Sequence, residues 1–75
     1  TYFFTIFKNE IGVSPQKYLI NFRINQACKL MNNTDLSIAE ISHSVGYQDP
    51  LYFSKLFKKE KGLSPSKYRE FKIGV

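Results

Sequence analysis

The chain has 75 residues, 43% of them hydrophobic and 16% aromatic, which suits one small core and excludes a multidomain body within this length. Its 11 Lys and Arg outnumber 6 Asp and Glu, and the net charge of +5 favours a polyanion or an acidic protein surface as partner. A lone cysteine, Cys28, excludes an internal disulfide, and with His43 as the one histidine it leaves no four-ligand zinc set.

No apolar run approaches the ~20 residues of a membrane span, and the amino end has no secretory pattern. A soluble fragment in a reducing, cytoplasmic compartment, without membrane contact, is therefore expected. No nucleophile, paired carboxylate or second histidine accompanies His43 in the pattern, so neither a catalytic set nor a metal or cofactor site is expected.

The chain begins on one copy of an internal repeat. Residues 1–19, TYFFTIFKNEIGVSPQKYL, align without gaps on residues 51–69, LYFSKLFKKEKGLSPSKYR. Tyr2, Phe3, Phe7, Lys8, Glu10, Gly12, Ser14, Pro15, Lys17 and Tyr18 recur as Tyr52, Phe53, Phe57, Lys58, Glu60, Gly62, Ser64, Pro65, Lys67 and Tyr68. What repeats is a helix, a glycine stop and a capped helix start. The counterparts of Asp49 and Pro50 would precede Thr1, so the first copy reads as cut short. Its apolar face of Tyr2, Phe3, Ile6 and Phe7 then needs a cover, and a homodimer pairing these faces is one candidate.

Ser14 followed by Pro15 announces a helix, because a serine hydroxyl accepts from a free first-turn N–H and proline gives up a donor that has no partner there. With no interior Gly or Pro, the helix is predicted from Pro15 to about Asn32, roughly 27 Å long. Its apolar positions, from Tyr18 to Met31, are too many for one face and predict contacts on two sides. Cys28, beside Ala27, reads as a small packed hydrophobe. Arg23 leaves two readings open, a surface or capping cation and a buried partner for a carboxylate.

Ser37 and Glu40 have the spacing of a capping box, so a short helix is predicted over 38–44 with Ile38, Ile41 and Val45 inward. His43 faces away from that stripe as an ordinary surface residue. Val45-Gly46-Tyr47 breaks the helix. Asp49 and Pro50 then cap and open the next, whose Phe53, Leu56 and Phe57 share an inner stripe while Leu51, Ser54, Lys55 and Lys58 turn outward. Lys58, Lys59 and Lys61 gather at the negative end of its dipole before Gly62, so it should stop at about Lys61. Ser64-Pro65 starts a last helix over 65–72. Short helix, glycine turn and second helix together spell a helix-turn-helix over 37–61.

The run IAEISHSVGYQDPLYFSKLFKKEKGLSPSKYR closely resembles the signature of the AraC/XylS family of bacterial transcription regulators. FKNEIGVSPQKYLINFRINQACKLM resembles that family's first recognition helix and linker helix, and the likeness extends from Thr1 to about Arg69. It rests on G-x-S-P-x-K-Y at Gly12 to Tyr18 and again at Gly62 to Tyr68, and on V-G-Y-x-D at Val45 to Asp49. The resemblance implies an all-α, homeodomain-like helix-turn-helix fold, with one complete and one truncated unit joined by a long linker helix. Residues 1–13 would be the remnant of the first recognition helix, 15–33 the linker, 37–61 the second unit and 65–72 the closing helix.

It also implies binding to double-stranded DNA in the major groove, transcription activation, and RNA polymerase as a partner. Carried over by position, Pro50, Leu51, Ser54 and Lys55 would meet base edges and Lys58 the backbone. In the first copy the matching positions are Thr1, Phe4, Thr5 and Lys8, with core packing or a dimer contact as the other reading of Phe4. Lys59 and Lys61 are expected on a solvated face. Ser42 stands where the family commonly has Ala, and its hydroxyl is expected to bond back to the preceding turn. The alternative function is a helical protein-interaction or dimerisation module that does not bind DNA.

Overall fold

The computed structural model describes residues 12–73, and these form four helices and no strand. They are α1 (Pro15–Asn33), α2 (Ile38–Ser44), α3 (Pro50–Lys61) and α4 (Pro65–Ile73). Thr1, Phe4, Thr5 and Lys8, and the face of Tyr2, Phe3, Ile6 and Phe7, lie outside the described residues.

Every helix begins on a side-chain cap. The hydroxyl of Ser14 accepts from the Lys17 N–H at 3.2 Å, and its repeat counterpart Ser64 accepts from the Lys67 N–H at 3.3 Å. Asp49 Oδ1 accepts from the Leu51 N–H at 3.0 Å. At α2 the capping box is complete: the Glu40 N–H donates to Ser37 Oγ at 3.1 Å and the Ser37 N–H donates to Glu40 Oε1 at 2.8 Å. That backbone hydrogen bond, with the Ser37 hydroxyl second, holds the Glu40 carboxyl below its ordinary value. The end of α1 carries no glycine. There both the N–H and the hydroxyl of Thr34 bond the Leu30 carbonyl, at 2.9 and 2.6 Å, and close the last turn.

The core follows from the spacing of α1. Ile24, Ala27, Cys28 and Met31 recur at three, four and seven residues, so they form one stripe, and all four are buried. Ile41 of α2 and Phe53 and Phe57 of α3 pack on that stripe, with Leu36, Ile38, Val45 and Leu56 partly buried around them. Burying each phenylalanine is worth about 1.5–3 kcal/mol. Helix α4 closes the core through Tyr68, whose ring meets Phe57 edge-on at 5.3 Å. A hydrogen bond with Cys28, reinforced by burial, pushes the Tyr68 phenol above its ordinary value.

Two observations bear on the expectations for α1 and for Lys61. Helix α1 buries a single face among the described residues, and Tyr18, Leu19 and Phe22 on its other stripe are about half exposed. The reason is that α2, α3 and α4 all pack on the same side of α1. Lys61 is exposed as expected but also donates to Asn25 Oδ1 at 3.0 Å, because the end of α3 lies along α1. A second tie at that junction joins Lys17 of α1 to the largely buried carboxylate of Glu60.

Candidate nucleic-acid interface

The turn between α2 and α3 decides how α3 is presented. Gly46 adopts a φ of +102°, a region an L side chain rarely enters. Its N–H donates to the His43 carbonyl at 3.1 Å and the Tyr47 N–H donates to the Ser42 carbonyl at 2.9 Å, the paired bonds of a Schellman stop. Ser42 is fully buried, and its hydroxyl donates forward to the Tyr47 carbonyl at 2.9 Å rather than back to the preceding turn as expected. The chain folds over Ser42 at the glycine, which brings that carbonyl nearer than a helical one. Ser42 and Tyr47 thus bond each other twice, once through each backbone and side-chain pairing.

Arg23 takes neither role left open for it. Its guanidinium lies over the Tyr47 ring, 5.2 Å from the centroid, and no carboxylate pairs with it among the described residues. The space it occupies exists because residue 46 has no Cβ: one placed there would meet Arg23 Cζ at 3.0 Å. Tyr47 in turn touches Phe53 at 6.0 Å between centroids and Tyr52 edge-on at 5.9 Å. Helix α1, the turn and the start of α3 are therefore joined by one cation–aromatic stack. His43 is exposed, as expected, and its Nε2 donates to the Gln48 carbonyl at 3.1 Å, which requires the proton on that nitrogen.

Helix α3 has two unlike sides. Phe53 and Phe57 are fully buried, while Leu51 is 74% exposed and Lys55 and Lys58 are exposed. Pro50 and Ser54 are half-buried and sit at the margin of the exposed side. That side also takes in Tyr52 and Lys59, where the 100° helical spacing puts them. The only acid of α3, Glu60, is turned inward onto Lys17, so the helix itself shows Lys55, Lys58 and Lys59 on this side, with the capping Asp49 carboxylate at its start. Among the described residues no three His, Cys, Asp or Glu side chains converge on a metal position, and no helix is long and apolar enough to cross a membrane.

A capped, glycine-turned helix pair with a basic outer face is a form that proteins use to enter a DNA groove. Comparison with known proteins agrees. The model of the helix-turn-helix domain family matches residues 1–70. The lactose operon transcription activator of Staphylococcus xylosus is 42% identical over 55 residues, covering 73% of this chain and 20% of that protein. The C-terminal domain of AraT, a response regulator from Geobacillus stearothermophilus, superposes with a TM-score of 0.91 at 40% identity, over 93% of this chain and 58% of that one. The DNA-binding domain of AdpA, a global transcriptional factor solved with a target DNA, superposes with a TM-score of 0.88 at 30% identity, over 92% and 62% of the two chains. The chain spans about a fifth of the length of the curated relatives it matches. It belongs to the helix-turn-helix domain family of AraC/XylS type, a family of DNA-binding transcription regulators.

Proposed function

We propose that this chain binds double-stranded DNA sequence-specifically by setting α3 into the major groove, as the DNA-binding part of a bacterial transcription activator. The observation that carries the reading is the division of α3 into a buried Phe53–Phe57 side and an exposed side bearing Leu51, Lys55 and Lys58. Lys55 can donate to guanine O6 or N7, Ser54 can donate or accept, and Leu51 can lie on a thymine methyl. Pro50 sits where the helix first meets the bases, and Lys58 serves a phosphate, which fixes register without reading sequence.

In the same reading residues 1–13 belong to a first recognition unit, residues 15–33 are the link, 37–61 the second unit and 65–72 its closing helix. Thr1, Phe4, Thr5 and Lys8 then take the first unit's contact positions. The 19 residues of α1 span roughly 28 Å, close in scale to the ~34 Å between successive major-groove faces. The action is cytoplasmic, at the nucleoid, and RNA polymerase is the partner that an activator role requires.

Selection from a random-sequence duplex pool, followed by titration at several salt concentrations, tests this. The expected result is one enriched motif, affinity that falls steeply with salt, and relaxed preference at one or two positions in Lys55→Ala. Binding that ignored both salt and that substitution would count against it. A second reading, a helical module that pairs with protein, draws on the half-exposed Tyr18, Leu19 and Phe22 of α1, and its dimer form would use Tyr2, Phe3, Ile6 and Phe7. Light scattering separates the two, since a concentration-dependent dimer without duplex affinity favours the second.

A further inference from the structure

We infer that Tyr52 and Lys59 form a second phosphate-binding rim on α3, so that the helix is held by both walls of the groove and not through Lys58 alone. The inference rests on the reading that α3 enters duplex DNA and adds which further side chains hold it there.

The argument starts from angles around α3. At 100° per residue, Leu51 and Lys55 lie at the middle of the exposed side, Lys58 and Ser54 fall to one flank, and Tyr52 falls roughly 60° beyond Lys55 on the other. Lys59 is seven residues from Tyr52 and so within roughly 20° of it. Tyr52 is 51% exposed and Lys59 is exposed, so this second flank is open to a ligand. A helix with side chains is about 10–12 Å across and the major groove is about 12 Å wide, so a helix seated on Leu51 and Lys55 brings both flanks against the phosphate-bearing walls.

The chemistry of the second flank suits a phosphate. Lys59 supplies a charge, with no acid of α3 beside it to cancel it. Tyr52 supplies a hydroxyl donor that no hydrogen bond among the described residues uses. Its ring is braced edge-on against Tyr47, which lies beneath the Arg23 guanidinium and beside Phe53. A side chain held in this way loses little freedom when its hydroxyl is engaged. The stack running from α1 through the turn therefore ends at a positioned donor on the groove wall.

The test is fluorescence anisotropy of the full 75-residue chain on a mixed-sequence 24-base-pair duplex, because phosphate contacts contribute without regard to sequence. Tyr52→Phe removes only the hydroxyl and keeps the ring on Tyr47, and melting curves check that each variant stays folded. The expected outcome is about a three- to tenfold loss of affinity for Tyr52→Phe with the salt slope unchanged. For Lys59→Ala the expected outcome is a salt slope lower by about one, as for Lys58→Ala. Wild-type affinity and slope in both Tyr52→Phe and Lys59→Ala, alongside a weakened Lys58→Ala, would overturn the second rim while leaving groove entry intact. Absence of duplex binding by the unchanged chain would overturn both.

Discussion

At Gly46 two physical demands meet on one residue. Its φ of +102° costs a residue with a Cβ about 1–2 kcal/mol, and the Cβ would also press on Arg23 at 3.0–3.3 Å. Moving Arg23 off the Tyr47 ring forfeits a cation–aromatic contact worth about 0.5–1 kcal/mol. Gly46→Ala is accordingly expected to destabilise the chain by about 2 kcal/mol, read as a lower urea midpoint, and to loosen the approach of α3 to DNA. An unchanged midpoint would mean that the turn is not strained in this way. Gly62, at φ +82° with open space where its Cβ would stand, should show the backbone part of the cost alone.

On the scale of one element, α2 is the clearest case. Seven residues are too few for a helix that stands alone, since isolated helices of fewer than ~12–15 residues are marginal in water. The capping box with Ser37 and Glu40 and the packing of Ile41 must supply the difference. Because the Glu40 carboxyl is held below its ordinary value of 4.5, its contribution is fully present above that pH and is lost as the pH falls and the folded-state carboxylate protonates. The chain should therefore be more stable than Glu40→Gln at neutral pH, with the gap closing as the solution is acidified below about 4.5. Urea midpoints of the two proteins across this range test the point, and a gap that did not narrow as the pH fell would refute the linkage.

For the molecule as a whole, the core and the proposed binding face sit on opposite sides of α3. The buried hydrophobic core among the described residues consists of seven side chains, two of them Phe53 and Phe57. Phe57→Ala is expected to cost about 3–5 kcal/mol, against the 5–15 kcal/mol total of typical domains, and so to abolish or severely blunt cooperative melting. Lys55→Ala, on the exposed side, is expected to leave stability within about 0.5 kcal/mol while reducing duplex affinity. Melting and binding measured on the same two variants should therefore separate. A Lys55→Ala protein that melted as early as Phe57→Ala would show that the outer face is not independent of the core.

What the amino-acid order determined by itself was everything governed by neighbours within a turn or two. The four helix starts at Pro15, Ile38, Pro50 and Pro65 follow from Ser14, Ser37, Asp49 and Ser64, because a cap acts on N–H groups two or three residues away. The buried stripe of α3 and its basic outer face were equally legible, since helical periodicity needs no knowledge of the rest of the chain. Tertiary structure alone decided the partner of Arg23, the direction of the Ser42 hydroxyl and the bond from Lys61 to Asn25. Each depends on which segments meet across a fold, and composition or spacing carries no term for that. Arg23 lies over an aromatic face because the glycine at 46 lets the turn close against α1.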